Sequence, residues 1–331
     1  MTSLYIVVVL VLIFDFLNGF HDSANSIATV VSTKALSPLT AVVLAAFFNF
    51  IAFTIFPMKV AATIGKDVVN PNVLDITVIA GALVAAIIWN LITWWLGLPS
   101  SSSHTLVGGL VGAAIAHAGP SSVIYSGFFK IVAFIFIAPI MGMLISFFFS
   151  SFVVWLIRKF TPSSINNIFK KLQIISSSAL SLGHGGNDAQ KSMGIIWAAL
   201  IICQIMTKDD PLPLWVKLSC QTAIALGTLF GGWRIVRTMG QKITKVRPVE
   251  GFCAEVSGAT TLFFSTHFGI PVSTTHTITG AIIGVGARRG FSAVKWGVTQ
   301  KIFWAWILTI PVSATIGAIM YYFFNAVLAT V

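Results

Sequence analysis

The feature that most restricts this chain is a succession of long apolar runs. Eight of them, at roughly 4–20, 39–56, 73–96, 131–157, 174–206, 214–231, 252–268 and 302–329, are mostly as long as a bilayer-crossing helix needs to be. A helix is the form such runs must take, because its backbone satisfies its own hydrogen bonds where no water can. Only 9% of residues are charged and the mean hydropathy is +0.93, whereas about a quarter of a soluble domain is charged. The expected fold class is therefore all-α and the chain a polytopic membrane protein. The first run begins at Ser3 with no basic stretch before it and no small-residue cleavage site after it, so it is read as a retained helix rather than a signal peptide.

A net charge of +11 does not require nucleic acid as a partner. Thirteen of the twenty Lys and Arg fall in three short connections: Arg158 to Lys171, Arg234 to Arg247 and Arg288 to Lys301. By the positive-inside rule those connections face the cytoplasm. The three cysteines, Cys203, Cys220 and Cys253, lie in apolar segments without CxxC or Cys/His spacing, so neither a disulfide framework nor a zinc site is expected.

Two interrupted runs betray a duplication. "LGLPSSSSHTLVGGLVGA" (96–113) and "FGIPVSTTHTITGAIIGV" (268–285) align without gaps, with seven identities in eighteen columns. Likewise "GFHDSANSIATV" (19–30) and "GGNDAQKSMGII" (185–196) align Asp22 with Asp188 and Ser26 with Ser192. With the basic connections held inside, the Asp22 helix runs inward and the Asp188 helix outward, so the copies are inverted. The expected organisation is a first inverted repeat over 1–157, a cytoplasmic connecting loop over 158–173 and a second inverted repeat over 174–331. Each repeat holds a broken or re-entrant helical hairpin, and both termini lie outside. Inverted repeats with interrupted polar helices point to a secondary transporter whose substrate sits near the midplane.

Five of the nine acidic residues, Asp15, Asp22, Asp188, Glu250 and Glu255, lie in or beside apolar runs. A carboxylate there costs roughly 2.5 kcal/mol or more, so each is a functional candidate. Asp15, Asn18, Asp22 and Asn25 share one helix face, and only Asp22 recurs in the second copy. Gly183, Gly185 and Gly186 are expected to break the helix that carries Asp188. Pro99 and Pro271 are expected to begin helices whose first turns hold Ser101, Ser102 and Ser103, or Ser273, Thr274 and Thr275. Free N–H groups, hydroxyls and the positive helix end together make an anion site without arginine. An anion beside two carboxylates needs a cation or proton to offset the repulsion, so coupled entry of anion and cation is expected.

With those motifs assembled, the chain resembles the inorganic phosphate transporter (Pit) family, bacterial low-affinity branch. The resemblance rests on "NGFHDSANSIATVVSTKAL", "GLPSSSSHTLVG", "SLGHGGNDAQKSMG" and "GIPVSTTHTITG", in order and in duplicate. It implies a secondary active transporter that imports inorganic phosphate across the inner cell membrane by symport, in a homodimer. Its substrate-binding residues carry over to Asp22, Asn25, Ser101, Ser102, Ser103, Asn187, Asp188, Ser273, Thr274 and Thr275. Cation coupling carries over to Asp22, Asp188, Lys191 and Glu255, the last matching a family glutamate in the hairpin's first arm. No cofactor is implied beyond the co-transported cation, which is a proton, sodium or a divalent metal.

The chain departs from the sodium-coupled branch, which resembles Asn-Asp-x-x-Asn in both copies: here His21 precedes Asp22, and Lys191 stands where the second Asn would be. A lysine one turn from Asp188 can serve as a tethered cation, which favours a proton or a metal-phosphate complex. A lysine that snorkels to the surface or touches the phosphate directly is the other reading of that position. Sulfate permease activity is the alternative within the family, though sulfate offers no proton donor to Asp22 or Asp188 near neutral pH. A hydrolase built from Asp22, His104, His276 and the serines lacks a Gly-x-Ser-x-Gly elbow and a His-Glu-x-x-His pair, and a passive channel would not accumulate its substrate. The expected partners are thus phosphate and membrane lipids, with no enzymatic activity.

Overall fold

The computed structural model describes residues 2–64, 68–207, 209–270 and 272–329. Among them the regular structure is helical, interrupted only by short 3-10 and π turns and two isolated β-bridges. The first half holds α1 (Thr2–Ser32), α2 (Pro38–Ile51), α3 (Lys59–Ile64), the hairpin α4 (Ile76–Leu96) and α5 (Ser102–Ala118), and α6 (Tyr125–Ile157). The second half holds α7 (Pro162–Ile202), α8 (Leu214–Phe230), α9 (Trp233–Arg237), the hairpin α10 (Pro248–His267) and α11 (Thr274–Arg288), and α12 (Trp296–Ala329).

The halves interlock and do not form separable cores. α1 packs along α8, α7 packs along α2, and α1 and α7 meet at the centre. The last helix of each half covers the hairpin of the other: α12 lies on α4 and α5, and α6 on α10 and α11. Among the described residues, four helices, at 3–32, 76–96, 125–157 and 296–327, are long and apolar enough to cross a membrane. Three of these four, α4, α6 and α12, belong to the hairpin arms and their covers. Of the helices that fall short of that measure, α5 and α11 are too short, at 17 and 15 residues, and α7 and α10 carry many polar side chains, most of them buried. The chain is thus a multi-pass helical membrane protein. At about 1.5 Å per residue, the 17 residues of α5 and 15 of α11 reach only about 25 Å and 22 Å, short of an apolar core of about 30 Å.

Two apolar clusters bracket a polar band. One gathers Val7, Val11 and Phe14 of α1 with Leu83, Leu106, Ala189, Met193, Ile196 and Ile224. The other gathers Ala24, Ile27 and Ala28 with Leu180, Cys253, Ile278, Ile282 and Trp306. Neither includes a residue from 15–23 of α1 or 181–188 of α7, the stretches that hold the aspartates.

Two local expectations are corrected. The helix does not break at the glycines: α7 runs unbroken from Pro162 to Ile202. The glycines act in packing, since a Cβ on Gly185 would stand 2.5 Å from the Asn49 carbonyl oxygen of α2, and one on Gly186 2.2 Å from the Phe56 ring. Gly19 plays the matching part in the first copy, where a Cβ would stand 2.1 Å from the Ile224 carbonyl oxygen of α8. Close helix approach, worth more than the roughly 1 kcal/mol helix cost of each glycine, explains them. Secondly, most of 158–173 is helix and not loop: α7 starts after Thr161, and Pro162 occupies its first turn, where a missing N–H costs nothing.

Candidate functional site

The two hairpin turns are built alike. Gly97 ends α4 and Gly269 follows α10, both with positive φ (66° and 69°), a conformation glycine adopts without strain. Pro99 lies two residues ahead of the N-cap Ser101 and does not itself begin α5, because the hydroxyl of Ser101 takes the capping position; Pro271 lies outside the described residues. The Ser101 hydroxyl accepts the His104 N–H at 3.3 Å, and that of Ser273 accepts the His276 N–H at 3.2 Å. Thr105 and Thr277 donate back to the carbonyls of Ser101 and Ser273, at 2.8 and 2.9 Å. Ser102, Ser103, Thr274 and Thr275 thus form two buried first turns, in which the hydroxyls of Ser102 and Thr274 meet the aspartates and those of Ser103 and Thr275 meet Lys191 and Asn25.

Each aspartate is held by its own half's turn. Ser102 Oγ donates to Asp22 Oδ2 at 3.3 Å and to Asn18 Oδ1 at 2.7 Å, while Thr274 Oγ1 donates to Asp188 Oδ2 at 3.0 Å. The residue three positions after each aspartate reaches across to the other half. Asn25 Nδ2 donates to Thr275 Oγ1 at 3.0 Å and Thr274 Oγ1 at 3.2 Å. Lys191 Nζ donates to Ser103 Oγ at 2.5 Å, to Asp188 Oδ1 at 2.5 Å and to the Val272 carbonyl at 3.1 Å. Lys191 is 2% exposed, so it does not snorkel to the surface: all its donors find buried acceptors instead.

Two histidines complete the cluster. His21 Nδ1 faces Asp22 Oδ1 at 2.7 Å and therefore carries the donated hydrogen, while Nε2 meets Thr93 Oγ1 at 3.1 Å and Ser100 Oγ at 3.4 Å. His184 Nε2 stands 3.2 Å from Asp188 Oδ2, and its Nδ1 lies 3.1 Å from Asn49 Oδ1. One ligand atom each of Asp22, His184 and Asp188 lies within 4.8 Å of the others. Two carboxylates at such a distance repel by about 3 kcal/mol at an effective dielectric near 20, so positive charge must accompany them. Lys191 supplies it at Asp188, whereas among the described residues Asp22 meets a histidine and a serine.

Residues 18–164 and 158–317 match the sequence profile of the phosphate transporter family. The chain belongs to that family. Probable low-affinity inorganic phosphate transporters of Rhizobium meliloti (strain 1021) and Bacillus subtilis (strain 168) are 54% and 46% identical to this transporter. The first alignment covers 94% of this chain and 93% of the relative, the second 97% of each. A solved structure titled the sodium-dependent phosphate transporter superposes with a TM-score of 0.87 at 29% identity, over 98% of this chain and 100% of its own. Transporters, not enzymes, are what the chain resembles, and the His104 and His276 considered for hydrolysis serve differently here. Their rings meet edge to face at 4.8 Å, and His276 stacks on Trp306 at 4.1 Å.

Of the residues expected from sequence, the structure joins Asn25, Ser103, Asp188, Lys191, Thr274 and Thr275 in one hydrogen-bonded network and Asp22 with Ser102 in a second, the two meeting where ligand atoms of Asp22 and Asp188 lie within 4.8 Å. Ser101 and Ser273 border it as helix caps. Asn187 turns its amide to Thr266 Oγ1 at 3.2 Å, one step removed. Glu255 is elsewhere: Gln173 Nε2 donates to its Oε1 at 2.9 Å and Ser176 to its Oε2. Ser176 precedes Asp188 by twelve residues of α7, about 18 Å of helix. Asn18 was on the polar stripe already, but His184 and Asn49 went unnoticed. Extending the alignment four residues back from Asp22 and Asp188 sets Asn18 against His184, and would have found the former.

Proposed function

We propose that this protein imports inorganic phosphate by symport with a proton, with Lys191 occupying at the second aspartate the place of a bound metal cation. The observation that carries this reading is the Lys191 ammonium, buried between Asp188 Oδ1 and Ser103 Oγ at 2.5 Å each. It ties an aspartate of one half to the hydroxyl turn of the other, where a bridging cation would otherwise be needed. A phosphate between the two first turns would take hydroxyls from Ser102, Ser103, Thr274 and Thr275 and offer its own protons to the aspartates. Sulfate has none to offer and would leave buried acceptors unpaired. Moving phosphate then opens the polar band to one side and the other, since the hairpins sit under covers contributed by the opposite half.

The same reading sets the chain in the inner membrane as two inverted repeats with both termini outside, as a homodimer; cysteine accessibility in intact cells and light scattering in detergent check these. Transport is tested in proteoliposomes. A pH gradient, inside alkaline, should drive phosphate accumulation without sodium; uptake driven by sodium alone would overturn the proposal. The close approach of Asp22, His184 and Asp188 favours a second reading, in which a divalent ion travels with phosphate. Uptake that requires magnesium in the absence of any pH gradient would favour it.

A further inference from the structure

One buried acid near the site has no part in the network above. Asp15 lies on the polar face of α1, seven residues before Asp22 and so about 10 Å along the helix, on the outer side if α1 runs inward. It is fully buried: Oδ1 accepts the Ser192 hydroxyl of α7 at 2.8 Å, and Oδ2 has no hydrogen-bond partner. Among the described residues it makes no ion pair, unlike Asp22 and Asp188.

The groups that face Asp15 explain why no cation reaches it. From α7 comes the Asp188 carboxylate and from α8 the Cys220 thiol, with Asn18 on its own helix. Helices α2 and α4, also packed on α1, contain no titratable residue; α8 carries Lys217 one turn before Cys220, and α9 carries Arg237 and Arg234, whose guanidinium donates to the Trp95 carbonyl, none of them paired with Asp15 among the described residues. On α10, Glu250 is engaged by Arg288 and Glu255 by Gln173 and Ser176; His276 of α11 lies against Trp306. Lys191, next to Ser192 in sequence, spends its donors on Asp188, Ser103 and Val272. A lone carboxylate so enclosed is costly as an anion and tolerable as a neutral acid. Glu255 differs, because both of its oxygens already accept donors.

We propose that Asp15 is the binding site of the co-transported proton. This rests on the proton-symport reading and adds the group that carries the proton. With the site open outward, an O–H bond forms at Oδ2 with a proton from external water, and the acid enters the closed state neutral. With the site open inward, that bond breaks, the proton passes to internal water and the carboxylate is restored. The Asp15–Ser192 contact joins α1 to α7 next to Lys191 and Asp188, so its protonation is placed to depend on whether phosphate holds the halves together. The second copy carries Ser181 at the position matching Asp15, which makes this group single rather than duplicated.

The test measures proton and phosphate fluxes together in proteoliposomes, with a trapped pH dye and labelled phosphate. Asp15→Asn and Asp15→Ser should move about one proton fewer per phosphate than the wild type and should lose accumulation driven by a pH gradient. Asp15→Glu, which keeps an acid, should restore both, and it also carries the test if the first two variants fail to fold: unaltered coupling with a shifted pH profile supports the proposal, and an unshifted profile overturns it. An unchanged proton-to-phosphate ratio in Asp15→Asn or Asp15→Ser overturns it as well. If the wild type itself moves no protons, the symport reading has failed, and that result is distinct because it appears before any substitution.

Discussion

The aspartate segments of α1 and α7 are copies that share a scaffold and differ in charge. Both place an aspartate beside the first turn of their own hairpin, and both send the third residue onward to the opposite turn. The first copy reads Asn18, His21, Asp22, Asn25 and the second His184, Asn187, Asp188, Lys191. Histidine and asparagine have exchanged places at two positions, so each aspartate still has one histidine, at 2.7 Å in the first and 3.2 Å in the second. At the last position the exchange is not reciprocal: an amide in one copy, an ammonium in the other. What the duplication preserved is hydrogen-bond geometry; what it let go is charge, with an ammonium beside one aspartate and none beside the other.

The strongest way to break the comparison is to remove either anchor. Asp22→Asn and Asp188→Asn should each lower phosphate uptake about 100-fold or more, since unmaking one side of a buried pair costs about 3–5 kcal/mol. Asp188→Asn should be the less stable protein as well, because it strands the Lys191 ammonium; thermal unfolding in detergent measures that difference. Equal melting temperatures would show that the lysine has found another acceptor and that the two anchors are more alike than their surroundings.

Making the copies identical at the last position is the sharper experiment. Lys191→Asn places an amide in both, and uptake without sodium should fall about tenfold, a loss of about 1.4 kcal/mol. Added sodium should restore part of it, as a mobile cation takes the vacated place. Uptake that stays sodium-independent and undiminished would remove Lys191 from coupling. Reach matters as much as charge here, so Lys191→Arg, with its rigid planar fork, should not substitute for the compact ammonium between Asp188 and Ser103.

Much of this arrangement was legible in the chain, and the limits have physical causes. The eight apolar runs each became a helix, because a bilayer leaves the backbone few other choices. The duplicated motifs led to Asp22, Asp188 and the hydroxyl turns, because helix caps and anion-binding turns are local and recur in register. What local reading could not show was contact between segments far apart in sequence. Gly185 and Gly186 read as helix breakers until Asn49 of α2 and the Phe56 ring lay against them, and Glu255, grouped with the aspartates for cation coupling by resemblance, meets Ser176, three turns before Asp188 along α7. The partner of Lys191 in the other half, Ser103, belongs to the same class of information.

Smaller effects test the hydroxyls. Ser102→Ala and Thr274→Ala each delete one donor to an aspartate, and each should weaken phosphate uptake by about tenfold, as expected for a hydrogen bond of about 1.5 kcal/mol to a charged group. Ser102 also serves Asn18 at 2.7 Å, whereas Thr274 also accepts from Asn25 at 3.2 Å and so helps hold the halves together. Thr274→Ala should accordingly cost more in unfolding temperature, and Ser102→Ala should act mainly on apparent affinity.

The smallest effect expected is from exchanging histidine and asparagine within the first copy. Asn18→His with His21→Asn would give α1 the order found on α7, leaving one histidine by each aspartate and the total charge unchanged. Phosphate uptake should stay within about threefold of the wild type, because coupled neighbours that trade roles compensate each other. Each single substitution should do worse, since Asn18→His loses the acceptor of Ser102 and His21→Asn loses the donor to Asp22 Oδ1. If the double variant is no better than the worse single one, position rather than composition matters at Asp22. The Thr93 and Ser100 hydroxyls behind His21, which have Asn49 as their counterpart behind His184, would then be what distinguishes the copies.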